Sequence, residues 1–95
     1  MRVKVQYLGY IKNMLNKRED NFELDDDTKL SGLLNKLAGI YGAAFQKEVY
    51  ESGIKDIKTG FSVTINGIFI GQLGGLEAKL DDGDNIMLMS LMSGG

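Results

Sequence analysis

Polar and apolar residues alternate from the second position, with Arg2, Lys4 and Gln6 set between Val3, Val5 and Tyr7. A period of two sends the two sets to opposite sides of an extended chain, which predicts a half-buried strand. Residues 9–20 are polar and mixed around Ile11, Met14 and Leu15, and read as a long turn or one loose helical turn. Phe22 and Leu24 flank Glu23, predicting a second short strand that pairs with the first as a hairpin. Leu30, Leu33, Leu34, Leu37 and Ile40/Tyr41 then recur at three- and four-residue spacing, the apolar stripe of an amphipathic helix.

Asp25-Asp26-Asp27-Thr28 precedes that stripe. Short oxygen-bearing side chains accept hydrogen bonds from the free amides of a first helical turn, and acids suit its positive end. The segment is therefore expected to cap the helix. A divalent-cation site is the sharper alternative, and capping is preferred because it needs no further ligands. Gly39 and Gly42 punctuate the helix end, and Ala44, Phe45, Val49, Tyr50, Ile54 and Ile57 follow among charges. A second short helix and an irregular connector are expected over residues 43–58.

Phe61, Val63 and Ile65 alternate with Ser62 and Thr64 up to Asn66-Gly67, and Ile68-Phe69-Ile70 follows. Asn and Gly both accept the positive φ of a type I′ turn, so the two runs predict a hairpin. Gly71 and Gly74-Gly75 mark a loop; without GxxxxGK or GxGxxG they read as a flexible turn rather than a phosphate cradle. Leu76 and Leu80 frame a short turn leading to Asp81-Asp82-Gly83-Asp84. Those carboxylates lack the further ligands and closing Glu of an EF-hand loop, so a turn cluster is preferred to a cation site. The final run, Ile86-Met87-Leu88-Met89-Ser90-Leu91-Met92, is apolar on both faces, as a central strand would be. The order is strand, strand, helix, short helix, strand, strand, short turn, strand. It predicts an α+β domain with helices on one face of a mixed sheet of about five strands.

Composition narrows the chemistry. With 95 residues the chain makes one small domain, expected over residues 1–92 with a flexible tail at 93–95. There is no cysteine and no histidine, which removes disulfides, thiolate nucleophiles, thiolate–zinc sites and the commonest general base near neutral pH. Net charge is −2, from 11 basic and 13 acidic residues without a basic block, which argues against nucleic-acid binding. No apolar run approaches the about 20 residues needed to cross a bilayer. Met1-Arg2-Val3-Lys4-Val5 is a strand pattern rather than a signal peptide, so no membrane contact is expected and the cytoplasm is the expected location.

That leaves carboxylates, hydroxyls, lysines or the chain terminus, and of these Ser93-Gly94-Gly95 reads as a reactive handle. At an average glycine usage of about 7%, two glycines fall together at one end in roughly 0.5% of chains by chance. Lacking Cβ atoms, Gly94-Gly95 can thread a carboxylate into a narrow active site. Ser93 is a poor nucleophile in a chain with no histidine to activate it. If Ile86 and Leu88 face the helix, Met87 and Met89 face the other way, and Leu8 lies opposite Val3, Val5 and Tyr7. Leu8, Leu73, Met87, Met89 and Met92 are therefore the candidate partner-binding residues, methionine suiting an adaptable contact surface. The alternative is that another element covers this face.

The opening strand Val3-Lys4-Val5-Gln6-Tyr7-Leu8, the segment Phe61 to Gly67 and the ending Leu80-Asp81-Asp82-Gly83-Asp84-Asn85-Ile86 through Gly94-Gly95 together resemble the β-grasp, ubiquitin-like sulfur carriers. The likeness is greatest to the small subunit of molybdopterin synthase. Small subunits of that synthase often carry a Pro-Pro pair in the last strand, where this chain has Ser90-Leu91 and no proline. The resemblance implies a carrier that is not itself an enzyme and binds no cofactor tightly. An E1-like enzyme would use ATP to adenylate the Gly95 carboxylate, and a sulfur donor such as a sulfurtransferase would convert it to a thiocarboxylate. The large synthase subunit would then receive the sulfur for molybdenum or tungsten cofactor synthesis. Gly95 would be the acyl carrier and Gly94 the flexible link. A ubiquitin-like modifier joined to lysine through Gly95, and a binding module with an inert tail, remain open beside it.

Overall fold

In a computed structural model describing residues 1–50, 57, 58 and 60–90, alternation at the start of the chain becomes strand β1, Arg2–Gly9. Val3, Val5 and Tyr7 turn into the core from it. Helix α1, Tyr10–Leu15, follows, held to the core by Ile11 and closed by Asn16 in the left-handed conformation. Its length exceeds the single loose turn expected there. Strand β2, Glu19–Glu23, pairs antiparallel with β1 and starts earlier than Phe22. Its polar opening residues offer no alternation to read.

Helix α2, Leu30–Tyr41, buries Leu30, Leu33, Leu34 and Leu37 as the stripe predicts, while Ile40 lies outside the buried face and is 54% exposed. The expected acidic cap is not what starts this helix. Its N-cap is Lys29, with no side-chain capping bond. Thr28 instead donates through its hydroxyl to the Asp25 carbonyl at 2.7 Å, closing a turn. Main-chain pairing with residues 78–80 supplies the helix entry: Leu30 N donates to Ala78 O at 2.9 Å and Leu80 N to Thr28 O at 3.2 Å. A tertiary partner has displaced the local one. Helix α3, Ala43–Val49, adds Phe45 and Val49 to the core. The expected connector lies partly outside the described residues.

Strand β3, Phe61–Ile65, turns through Asn66 (φ 53°) and Gly67 (φ 83°) into β4, Ile68–Phe69. These are the positive angles that the type I′ turn requires. Ile70, expected in the strand, begins a tight turn at Ile70–Gln72, and a second such turn spans Gly75–Glu77. Strand β5, Asn85–Ser90, completes a sheet of order β2-β1-β5-β3-β4. The strand is central, parallel to β1 and antiparallel to β3. Ile86 and Leu88 are fully buried and join α2, α3, Val63 and Ile65 in one core on one side of the sheet. Removing a fully buried side chain of this size to Ala costs about 2–5 kcal/mol, so this core fixes the position of β5.

Candidate functional site

The outward face of the sheet follows from register. Leu8 stands opposite Met89, and Met89 opposite Ser62. One step along, Gln6 stands opposite Met87, Met87 opposite Thr64, and Thr64 opposite Phe69. Because strand partners share a face, Leu8, Met87, Met89 and Phe69 lie together away from the helices. Leu8 is 40% exposed and Phe69 54%, with both methionines half-buried. Leu73 is also exposed, but it lies in the loop after Ile70–Gln72 rather than on a strand. Met92, Ser93, Gly94 and Gly95 lie outside the described residues.

Phe69 is absent from the sequence candidates, although its signal was available. A two-residue turn at Asn66-Gly67 pairs Ile65 with Ile68 and Thr64 with Phe69, which places the aromatic ring on the face of Thr64. Beyond the uncharged Gln6, Ser62 and Thr64, the outward face becomes charged toward the start of β1. Arg2 Nε pairs with Glu23 Oε1 at 3.0 Å, and Lys4 Nζ lies 3.8 Å from Glu19 Oε2. The face thus grades from charged at the start of β1 to apolar at its end, where β5 also ends.

Ser90, the last described residue of β5, is 1% exposed and donates through its hydroxyl to Glu48 Oε1 on α3. Gly9 pairs with Ser90 at the end of β1, and its backbone has φ +75°. Asp84 ties the turn before β5, accepting hydrogen bonds from Asn66 Nδ2 and Asp81 N, both at 2.8 Å. Asp82 accepts from Arg2 N at 2.8 Å. The acidic turn thus spends carboxylates on its own backbone and neighbours. Among the described residues no group of three or more carboxylates converges as a cation site would need.

Asp20 on β2 gathers three donors: Tyr7 Oη at 2.8 Å, Lys17 Nζ at 2.9 Å, and Tyr41 Oη. Burial alone would push the Asp20 carboxyl up; the hydrogen bonds from Tyr41, Lys17 and Tyr7 outweigh it and hold the carboxyl below the usual range. Burial, reinforced by the Asp20 carboxylate, pushes both Tyr7 and Tyr41 up. The hydrogen bond to Asp20 raises Lys17. This cluster ties β1, β2 and α2 together on the core side and is structural.

The strand order, the helices on one face and the central parallel pair define a ubiquitin-like, β-grasp protein. Solved structures with this fold include the small archaeal modifier protein 1 of Methanosarcina acetivorans, 26% identical, with a TM-score of 0.77 over 99% of this chain and 96% of that one. Urm1 from Trypanosoma brucei is 22% identical, with a TM-score of 0.81 over 99% of this chain and 95% of that one. A putative molybdopterin converting factor, subunit 1, from Pyrococcus furiosus is 20% identical, with a TM-score of 0.74 over 97% of this chain and 99% of that one. The chain belongs to the ThiS family, which it matches over residues 5–95. No match was found among curated proteins. Among the described residues no helix is long and apolar enough to cross a membrane.

Proposed function

We propose that this chain is a sulfur carrier acting as the small subunit of molybdopterin synthase. One observation carries the reading. The central strand β5 runs parallel to β1 and ends beside the apolar Leu8–Met89 end of the outward face, five residues before Gly95. A partner docked on Leu8, Met87, Met89 and Phe69 would therefore lie beside Ser90, which is five residues before Gly95 in sequence. Leu73 and Met92 are proposed as further partner contacts.

The terminal carboxylate is a poor electrophile, since a chain-end carboxyl with an ordinary pKa of about 3.3–3.7 is ionised at neutral pH. An E1-like partner activates it: a Gly95 oxygen attacks the α-phosphorus of ATP, pyrophosphate leaves, and an acyl-adenylate forms. The persulfide of a sulfurtransferase then displaces AMP to give an acyl disulfide, and a partner thiol attacks the enzyme's sulfur, forming a disulfide and releasing the thiocarboxylate. The large synthase subunit receives that sulfur. This chain contributes the carried atom, the slim Gly94-Gly95 arm and the docking face, and the catalytic groups belong to its partners. Likeness to the Pyrococcus furiosus converting-factor subunit supports this destination.

Conjugation to lysine through Gly95 is the second reading, supported by the 26% identity to a small archaeal modifier protein. Intact mass of the protein isolated from its host tests both. Gain of the mass difference between sulfur and oxygen is expected for the carrier, while Gly-Gly remnants on lysines of other proteins indicate the modifier. An unmodified chain after incubation with its activating enzyme, ATP and a sulfur donor overturns the carrier.

A further inference from the structure

The charges of this chain are sorted by end. Lys12, Lys17 and Arg18 fall within one turn of chain, where Lys17 N donates to Lys12 O at 3.3 Å and Tyr7 N to Arg18 O at 2.9 Å. No acidic residue occurs between Tyr10 and Arg18. Lys17 is paired with Asp20, while among the described residues Lys12 and Arg18 form no ion pair. At the start of β1 the sign reverses. Asp82 accepts from Arg2 N at 2.8 Å, and Asp26 lies 3.4 Å from the Met1 amino group, which gathers Asp25-Asp26-Asp27 and Asp81-Asp82 there. Strand β1 has eight residues. At about 3.3 Å per residue it holds the two groups about 25 Å apart. Salt at physiological strength screens exposed charges beyond about 8 Å, so the two ends act on a partner separately. The basic turn lies at the apolar end of the outward face: Leu8 pairs with Met89, and Tyr10, 39% exposed, opens the helix that carries Lys12.

We propose that the turn bearing Lys12, Lys17 and Arg18 is the electrostatic rim of the docking face, and that it fits an activating-enzyme surface on which carboxylates flank an apolar patch. This role rests on the carrier or modifier reading above. An acidic partner is drawn to the α1 end and repelled from the Asp25–Asp27 end. Charge thereby selects one orientation along the sheet before apolar contact forms, which Leu8, Met87, Met89 and Phe69 have no sign to do. The charges on the outward face itself are matched, Arg2 with Glu23 and Lys4 with Glu19, which leaves the turn to set the sign at this end. Exposed charges contribute little once a complex has formed, so the effect falls on encounter, where steering raises rates about 10- to 1,000-fold and fades with salt. A nucleic acid fits the turn less well: three cations in a chain of net charge −2 neutralise few phosphates.

The test is ATP–pyrophosphate exchange by the host's own activating enzyme, using the full chain at about 50 mM and about 500 mM NaCl. Wild-type KM is expected to rise about fivefold between the two. Lys12→Glu combined with Arg18→Glu should raise KM about tenfold at the lower salt, leave kcat within about twofold and flatten the salt dependence. Lys79→Glu makes the same reversal at the opposite end and should change KM by less than about twofold. If the double reversal does not fold, Lys12→Gln combined with Arg18→Gln removes the charges with a smaller change and should raise KM about threefold. Unchanged KM at low salt in a folded variant overturns the proposal, as does a rise that is matched by Lys79→Glu or persists undiminished at high salt. Host RNA retained by the wild type and lost on the double reversal, with KM unchanged, assigns the turn to nucleic acid and also overturns it. If the wild-type chain itself supports no exchange, the carrier and modifier readings fall first, and the basic rim with them.

Discussion

A Cβ placed on Gly9 would lie 2.1 Å from the carbonyl oxygen of Ser90. The neighbour is main chain in a central strand, so it cannot swing away, and φ at Gly9 is +75°. Gly9→Ala is therefore expected to destabilise the domain by about 3 kcal/mol, through a steric clash added to backbone strain. Thermal unfolding followed by circular dichroism should show a fall in Tm of roughly 12–24 °C. Gly39, in α2, is the contrasting case, since a Cβ there meets nothing within 4 Å. Gly39→Ala should stabilise by about 0.5–1 kcal/mol, through the better helix propensity of alanine.

Asp20 gives the fold a pH signature at both extremes. Its carboxyl lies below the ordinary value in the folded state, so the folded chain holds that proton less tightly than the unfolded one. The resulting stability is fully present above about pH 4 and is lost as pH falls through the lowered folded value. Tyr7 and Tyr41 are raised, so their contribution is complete below about pH 10 and is lost as pH climbs through their folded values. Asp20→Ala should cost about 1–3 kcal/mol near neutral pH, because the buried Tyr7 hydroxyl loses its acceptor. Urea unfolding across pH should show the variant with a flatter acid limb than the wild type.

Asn66 couples the hairpin turn to the head of β5. Its side chain donates to Asp84 Oδ1 at 2.8 Å and accepts from Asn85 N at 2.9 Å, while its backbone has φ 53°. Asn66→Ala loses both bonds and retains a conformation unfavourable to alanine, an expected cost of about 2 kcal/mol. Asn66→Gly relieves the backbone but not the bonds and should recover part of that loss in the same unfolding assay.

The two faces of the sheet should respond in opposite ways. Leu88→Ala removes a fully buried side chain and should cost about 2–5 kcal/mol of stability. Leu8→Ser and Phe69→Ser alter exposed positions and should change stability by less than about 1 kcal/mol. In ATP–pyrophosphate exchange by the host's activating enzyme each should raise KM about tenfold, the equivalent of about 1.4 kcal/mol at a docking contact. Unchanged KM in both variants would count against this face as the docking surface.

Legibility in the sequence followed how local each determinant is. The strand at Val3, Val5 and Tyr7, the Leu30–Leu37 stripe and the Asn66-Gly67 turn each carry their cause within a few residues. Asp25 to Thr28 looked like a cap by the same local logic, yet Ala78 and Leu80, some fifty residues on, pair with the helix start instead. The Glu19-Asp20-Asn21 opening of β2 is strand only because β1 lies beside it. The outward apolar face was readable from alternation at Leu8, Met87 and Met89, and Phe69 needed the hairpin register as well. Glu48 gave no warning, since a glutamate in a short helix ordinarily faces water and only the fold brings Ser90 to it.

The placement of β5 between β1 and β3 has a consequence for how the protein is made. The middle strand is the last of the five to be translated, so β1 and β3 must wait for it with Val5, Tyr7 and Val63 uncovered. A product cut short before Asn85 lacks the strand that joins the two halves of the sheet, and exposed strand edges of that kind invite aggregation and degradation. Completion of the sheet therefore acts as an inspection step. A molecule whose sheet is complete has been synthesised through Asn85–Ser90, and a chain cut short before that strand is expected to aggregate rather than to reach the folded state.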